Sequence, residues 1–177
     1  LAAAALFGAA ALSRPFLATV VGYAVLSVAY TVYLKRLMIV DVLALSFGFV
    51  LRAIAGAAVL EVEPSSWLVI CTMMLALLVG FGKRRAEVIL LGDESSRHRS
   101  TLERYTVDFL DTMTLLSAGA AFLSYVVYTV ATDTGAFHGN SSLVWTTPFV
   151  FYGIARYLYL MQTGHQAGDP TRLLLRD

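Results

Sequence analysis

The sequence predicts an all-α fold, a polytopic transmembrane helical bundle. Three observations carry that reading. Of the 177 residues, 58% are hydrophobic and only 14% are charged, against about 25% charged in a soluble domain. Apolar runs approaching the roughly 20 residues needed to cross a bilayer recur along the chain. The basic residues fall almost entirely in alternate connections between those runs. The single cysteine, Cys71, excludes an intrachain disulfide and a cysteine-based metal cluster. Nucleic acid is not expected as a partner.

The runs follow one another without a linker or repeat, so residues 1–177 read as one membrane domain of about six helices. "LAAAALFGAAAL", residues 1–12, has no basic segment before it and reads as the tail of a helix cut mid-span, so the chain is expected to be a fragment. "SRP" closes this run at 13–15. The second extends from Phe16 to Leu34 and stops at Lys35-Arg36. The third, from about Asp41 to Leu60, stops at "EVEPSS". The fourth runs from Trp67 to Phe81 and meets "GKRRAE". After a polar stretch at 92–106, the fifth spans about 107–131. "TDTGAFHGNSS" separates it from the sixth, about Leu143 to Met161. The turn-forming composition of these connections favours helix reversals.

Ten basic residues lie on one side: Lys35, Arg36, Lys83, Arg84, Arg85, Arg97, Arg99, Arg104, Arg172 and Arg176. Arg14 alone lies on the other, with Glu61, Glu63 and Asp133. The positive-inside rule places the first set in the cytoplasm. Trp67 and Trp145 fall at the opposite ends, where interfacial tryptophan is expected.

Topology alone does not account for every charge. Arg52 lies mid-span, and Asp41, Gly48, Arg52 and Gly56 form one stripe along a helix. A cation at that depth costs from about 3 kcal/mol upward unless it faces protein or water. Arg52 therefore either meets a carbonyl or another helix, or lines a polar cavity. Asp41 and Arg52 stand eleven residues apart, about 16 Å along a helix, and cannot pair. Glu87 lies four residues after Lys83 and three after Arg84, so it can pair with either; the bland alternative is a solvated helix end with snorkelling cations. Tyr105, Asp108 and Asp111 are expected on one face at the start of the fifth helix. Tyr23 and Tyr30 share a face, more simply read as packing. His98, His138 and His165 show no ligand spacing.

"YTVYLKRLMIVDVLALSFGFVLRAIAGA", "SSWLVICTMMLALLVGFGKRRAEVILL", "LERYTVDFLDTM" and "TPFVFYGIARYLYL" together resemble the UbiA prenyltransferase superfamily. Within it they are most similar to the branch that moves phosphoribose onto a polyprenyl phosphate in actinobacterial cell-wall synthesis. The resemblance covers nearly the whole chain, with "LKR…D…R…G" and "GKRRAE" as its specific parts. It implies a nine-helix bundle of which this chain begins in the third helix and stops before the ninth. It also implies an active site at the cytoplasmic face of the plasma (inner) membrane.

The implied reaction transfers 5-phosphoribose from phosphoribosyl diphosphate to a polyprenyl (decaprenyl) phosphate, toward arabinan precursors. Magnesium (Mg2+) is the implied cofactor, held by an acidic motif that would lie before Leu1. Where ordinary members carry a second Asp-rich motif, this chain has Lys83-Arg84-Arg85-Ala86-Glu87, a composition suited to several substrate phosphates. The candidate catalytic residues are Glu87 and Asp41. The candidate substrate contacts are Lys83, Arg84, Lys35, Arg36, Arg52, Tyr105 and Asp108. The alternatives are a superfamily prenyltransferase with an aromatic or other lipid acceptor, and a transporter or channel module. The absent Asp-rich motif weighs against the first, the absent internal repeat against the second. Self-association into a homo-oligomer is left open.

Overall fold

The computed structural model describes residues 14–91, 105–130 and 141–163, and all regular structure among them is helical. Helix α1 spans Arg14–Val32, α2 Val40–Val59, α3 Ser66–Leu91, α4 Val107–Val130 and α5 Thr147–Thr163. Short 3-10 segments, Leu34–Arg36 and Ser141–Thr146, lead into α2 and α5. Sequence-adjacent helices pack together, with the most extensive contact between α3 and α4. Short connections make α1–α2 and α2–α3 antiparallel neighbours.

The second, third and fifth apolar runs match α1, α2 and α4 to within two residues. The fourth is longer than the sequence suggested. Helix α3 does not stop at Phe81 but continues to Leu91, nearly three further turns, carrying Lys83 to Glu87. Its 26 residues extend about 39 Å, beyond the roughly 30 Å hydrocarbon core. The cations thus occupy a helix that protrudes from the apolar layer, and no break was needed to admit them. The first run, the three histidines, Arg97, Arg99, Arg104, Arg172, Arg176 and Asp133 lie outside the described residues.

The core is built where small residues permit close approach. Buried Ser117, Ala118, Ala121 and Ser124 form the α4 face, and Thr114 continues it toward Leu110. The Thr114 and Ser124 hydroxyls are satisfied within the helix, Thr114 donating to the Leu110 carbonyl at 2.6 Å and Ser124 to that of Ala121 at 3.0 Å. Small residues with internally satisfied hydroxyls are the usual material of membrane helix interfaces. One core cluster gathers Val42, Leu77, Phe81, Tyr105 and Leu110; a second gathers Leu78, Ala118, Tyr157 and Met161.

Two glycines around Phe81 set these contacts. A Cβ on Gly80 would lie 2.6 Å from Val42 Cγ1, and one on Gly82 would lie 2.1 Å from the Tyr157 hydroxyl. Helix α3 can therefore touch α2 and α5 only with glycine at these positions. By contrast α1 has no buried residue, and Val21, Val25, Val28 and Val32 form an exposed apolar ridge.

Candidate active site

Asp41 opens α2 and is completely buried, as Arg84 on α3 nearly is. A charge so enclosed is tolerated only with a partner of opposite sign and satisfied hydrogen bonds. Arg84 Nε donates to Asp41 Oδ2 at 2.9 Å, and Arg84 Nη1 donates to Glu87 Oε2. The other Asp41 oxygen accepts the Tyr105 hydroxyl at 2.8 Å. Tyr105 in turn accepts the Ile39 backbone N–H at 2.6 Å. Its phenol is both donor and acceptor, and burial, reinforced by the Asp41 carboxylate, holds its pKa well above the usual tyrosine range.

The backbone helps to bring these groups together. Ile39 has φ 69°, a left-handed conformation that a β-branched residue rarely adopts. It turns the chain from the 3-10 segment bearing Lys35 and Arg36 into α2, which places Asp41 two residues later against α3. The order is Lys35-Arg36, Ile39, Asp41 on one element and Lys83, Arg84, Glu87 on the other, at one end of the bundle.

Three consecutive cations on α3 point in three directions, as successive residues about 100° apart must. Lys83 is exposed. Arg84 turns inward to Asp41 and Glu87. Arg85 turns toward the opposite neighbours, pairing with Asp111 of α4 and donating to the Met161 carbonyl of α5 at 2.7 Å. One guanidinium, Arg84, faces two carboxylates, so the inner cluster carries a net negative charge. Glu87 is its accessible edge, with 27% of its side chain exposed against 0% for Asp41 and 3% for Arg84.

Several sequence expectations change with this geometry. Glu87 selects Arg84 and not Lys83. Asp108 and Asp111, three apart on α4, lie on neighbouring positions of one face, but Tyr105 does not join them. Tyr105 precedes the helix and reaches inward to Asp41, Asp108 is exposed, and Asp111 binds Arg85. Arg52 does not join the cluster. It hydrogen-bonds Tyr23 of α1 and lies 4.7 Å from the Tyr23 ring centre and 5.1 Å from that of Phe49. It lines a groove between α1 and α2 with Tyr23, Ser27, Tyr30, Gly48 and Phe49. The walls of this groove also include Leu26, Ala44 and Leu45, so Arg52 meets a mixed lining of hydroxyl, aromatic and aliphatic groups.

Sequence reasoning missed the Arg85–Asp111 pair, the Ile39–Tyr105 bond and the seating of Tyr157 on Gly82. "GFG" before the cations was the available signal, since two glycines within three residues of a membrane helix mark close approach on two faces.

Four helices, α1 to α4, are long and apolar enough to cross a membrane. Together with the charged network at one end, they define a multi-pass all-α membrane protein with a polar site at its margin. No family model matches the chain. It is 31% identical to decaprenyl-phosphate phosphoribosyltransferase of Corynebacterium glutamicum over 91% of its own length and 48% of that protein's. It is 31% identical to the Mycobacterium tuberculosis enzyme of the same name over 97% of the chain and 56% of the relative. With that of Mycolicibacterium smegmatis the identity is 28% over 88% of the chain and 50% of the relative. The chain therefore spans about half the length of the curated relatives it matches. Along nearly its whole length the chain is similar to the decaprenyl-phosphate phosphoribosyltransferases, as its motifs suggested.

The magnesium implied by that kinship finds no cage among the described residues. No three Asp, Glu, His or Cys side chains converge there, and both Asp41 oxygens are engaged by Arg84 and Tyr105. These residues do not fit a magnesium site on their own, and no step below passes through one.

Proposed function

We propose that the protein transfers 5-phosphoribose from phosphoribosyl diphosphate to a polyprenyl phosphate, decaprenyl phosphate by the name of its relatives. The observation that carries this reading is the similarity to those enzymes along nearly the whole chain. The charged end of the bundle is consistent with it. An oxygen of the lipid phosphate attacks ribose C1 as the bond from C1 to the diphosphate oxygen breaks, giving a phosphodiester and free diphosphate. The attacking phosphate is already ionised, so no side chain has to remove a proton. Positive charge develops on the ribose and negative charge on the leaving group. Preorganised groups of opposite sign lower the energy of that separation.

Lys83 and Arg36 are exposed and Lys35 is half-buried at this end; they supply cations for the phosphates. Glu87, the partly exposed carboxylate of the cluster, is the proposed partner of the ribose. The reading puts this end in the cytoplasm, the protein in the plasma membrane and the product in cell-wall precursor synthesis.

Membranes containing the full-length protein, incubated with phosphoribosyl diphosphate radiolabelled in the ribose, should yield a labelled lipid. Label appearing only when a polyprenyl diphosphate and an aromatic acceptor are supplied in place of these substrates would favour the ordinary superfamily reaction. Orientation has its own test. With Cys71→Ala as background, Glu63→Cys should react with a membrane-impermeant thiol reagent in intact cells and Ser95→Cys should not; the reverse pattern overturns the assignment.

A further inference from the structure

We infer that Tyr105, Asp41 and Arg84 are positioning residues that act through Glu87, a role that rests on the proposed phosphoribosyl transfer. Asp41 and Arg84 are enclosed, and each is engaged on two sides. Their burial, 0% exposed for Asp41 and 3% for Arg84, keeps both from direct contact with a substrate. Glu87 differs: one oxygen is held by Arg84 while the side chain remains partly exposed. The rigid guanidinium fork fixes the separation of the carboxylates it bridges. Asp41 anchors that fork, so the place of Glu87 is set from α2, across the helix interface.

The chain of bonds extends past Asp41. Tyr105 joins Asp41 Oδ1 to the Ile39 N–H, at the strained residue that follows the Lys35-Arg36 segment. Strain of this kind persists only where the surroundings over-determine it, and the Tyr105 hydroxyl is the side-chain contact that joins the backbone hydrogen bonds around Ile39 in doing so. One continuous path therefore runs from the Ile39 backbone through Tyr105, Asp41 and Arg84 to Glu87. It fixes the basic segment before α2 relative to the carboxylate on α3. A ribose with phosphate groups on two of its carbons needs that spacing held constant, since small misplacements are costly in transfer reactions.

The test is a double-mutant cycle in the full-length protein, with Tyr105→Phe, Glu87→Gln and the pair. Tyr105→Phe removes one hydroxyl without opening a cavity. It should lower kcat about tenfold, the loss of one charge-assisted hydrogen bond, with KM for phosphoribosyl diphosphate within about twofold. In the Glu87→Gln background it should cost nothing more, because its effect passes through that carboxylate. Arg84→Lys, which retains charge but cannot span both carboxylates, should behave as Tyr105→Phe does. It also serves as the substitute should Tyr105→Phe fail to fold. Losses that multiply in the double variant, or a lowered Tm with kcat unchanged, overturn the positioning role and leave a stability lock. A parent protein that transfers no phosphoribose overturns the proposed function itself, a result distinct from an active parent with independent variants.

Discussion

Two arginines of this bundle, Arg84 and Arg52, have contrasting surroundings. Arg84 is sealed between α2, α3 and the residue before α4, with Asp41 and Glu87 as ionic partners. Arg52 lies at the α1–α2 groove on a phenol and two aromatic faces, with its side chain exposed along one edge. The first arrangement is cooperative, because each buried charge is justified by the others, and removing one strands the rest. The second is loose. Neutral aromatic partners hold a guanidinium by cation–π attraction and lose little when it leaves. Location in an apolar helix says that a cation needs company; the company decides whether it can be replaced.

The largest expected effect tests the sealed side. Arg84→Met leaves Asp41 buried without its cation and Glu87 beside it unneutralised, and should destabilise the fold by about 3–5 kcal/mol, read as a lowered Tm in detergent. A stable Arg84→Met protein with only weakened donor binding would restore the expectation that Arg84 holds phosphate.

Lys83→Met should do the reverse. Lys83 is exposed, so Tm should hold while affinity for phosphoribosyl diphosphate falls by about 1.5–3 kcal/mol, the worth of a charge-assisted bond. Equal donor affinity in the two proteins would reduce Lys83 to a topology anchor.

Packing offers a third comparison. Gly82→Ala drives a methyl into the Tyr157 hydroxyl, which is buried without a hydrogen-bond partner among the described residues. It should cost about 1–3 kcal/mol by overpacking, and Tyr157→Phe should recover part of that loss. At the groove, the Cβ of Gly48→Ala meets Tyr23 at 3.4 Å, an ordinary contact, and Tm should hardly move.

Arg52→Leu is expected to be the mildest, within about 1 kcal/mol, with insertion unimpaired because a charge at depth has been removed. A loss as large as that of Arg84→Met would show that the groove is as cooperative as the sealed cluster.

Much of the fold was legible one residue at a time. Burial of a helix in lipid requires a run of apolar side chains, and such a run is visible without knowing its neighbours. Hence α1, α2 and α4 were found nearly to the residue. The end of α3 was not, because cations at "GKRRAE" look like a stop in a hydropathy profile. The backbone is indifferent to them; Lys, Arg, Ala and Glu are good helix formers. The site was half legible. Asp41, Arg84, Glu87 and Tyr105 all stood out as charged or polar groups at the margins of apolar runs. Their mutual contacts did not, since Asp41 and Arg84 are 43 residues apart and Asp41 and Tyr105 are 64 apart.

The sequence by itself determined that this is a helical membrane protein, how long most of its spans are and which residues need polar company. Those properties follow from solvation and helical period, which act locally. Only the tertiary structure decided which company each residue keeps. Three adjacent cations on α3 face three directions, and whether each meets Asp41, Asp111 or solvent depends on which helices stand beside α3. The glycines at 80 and 82 allow that closeness, but partners arriving from α2, α4 and α5 determine what it brings together.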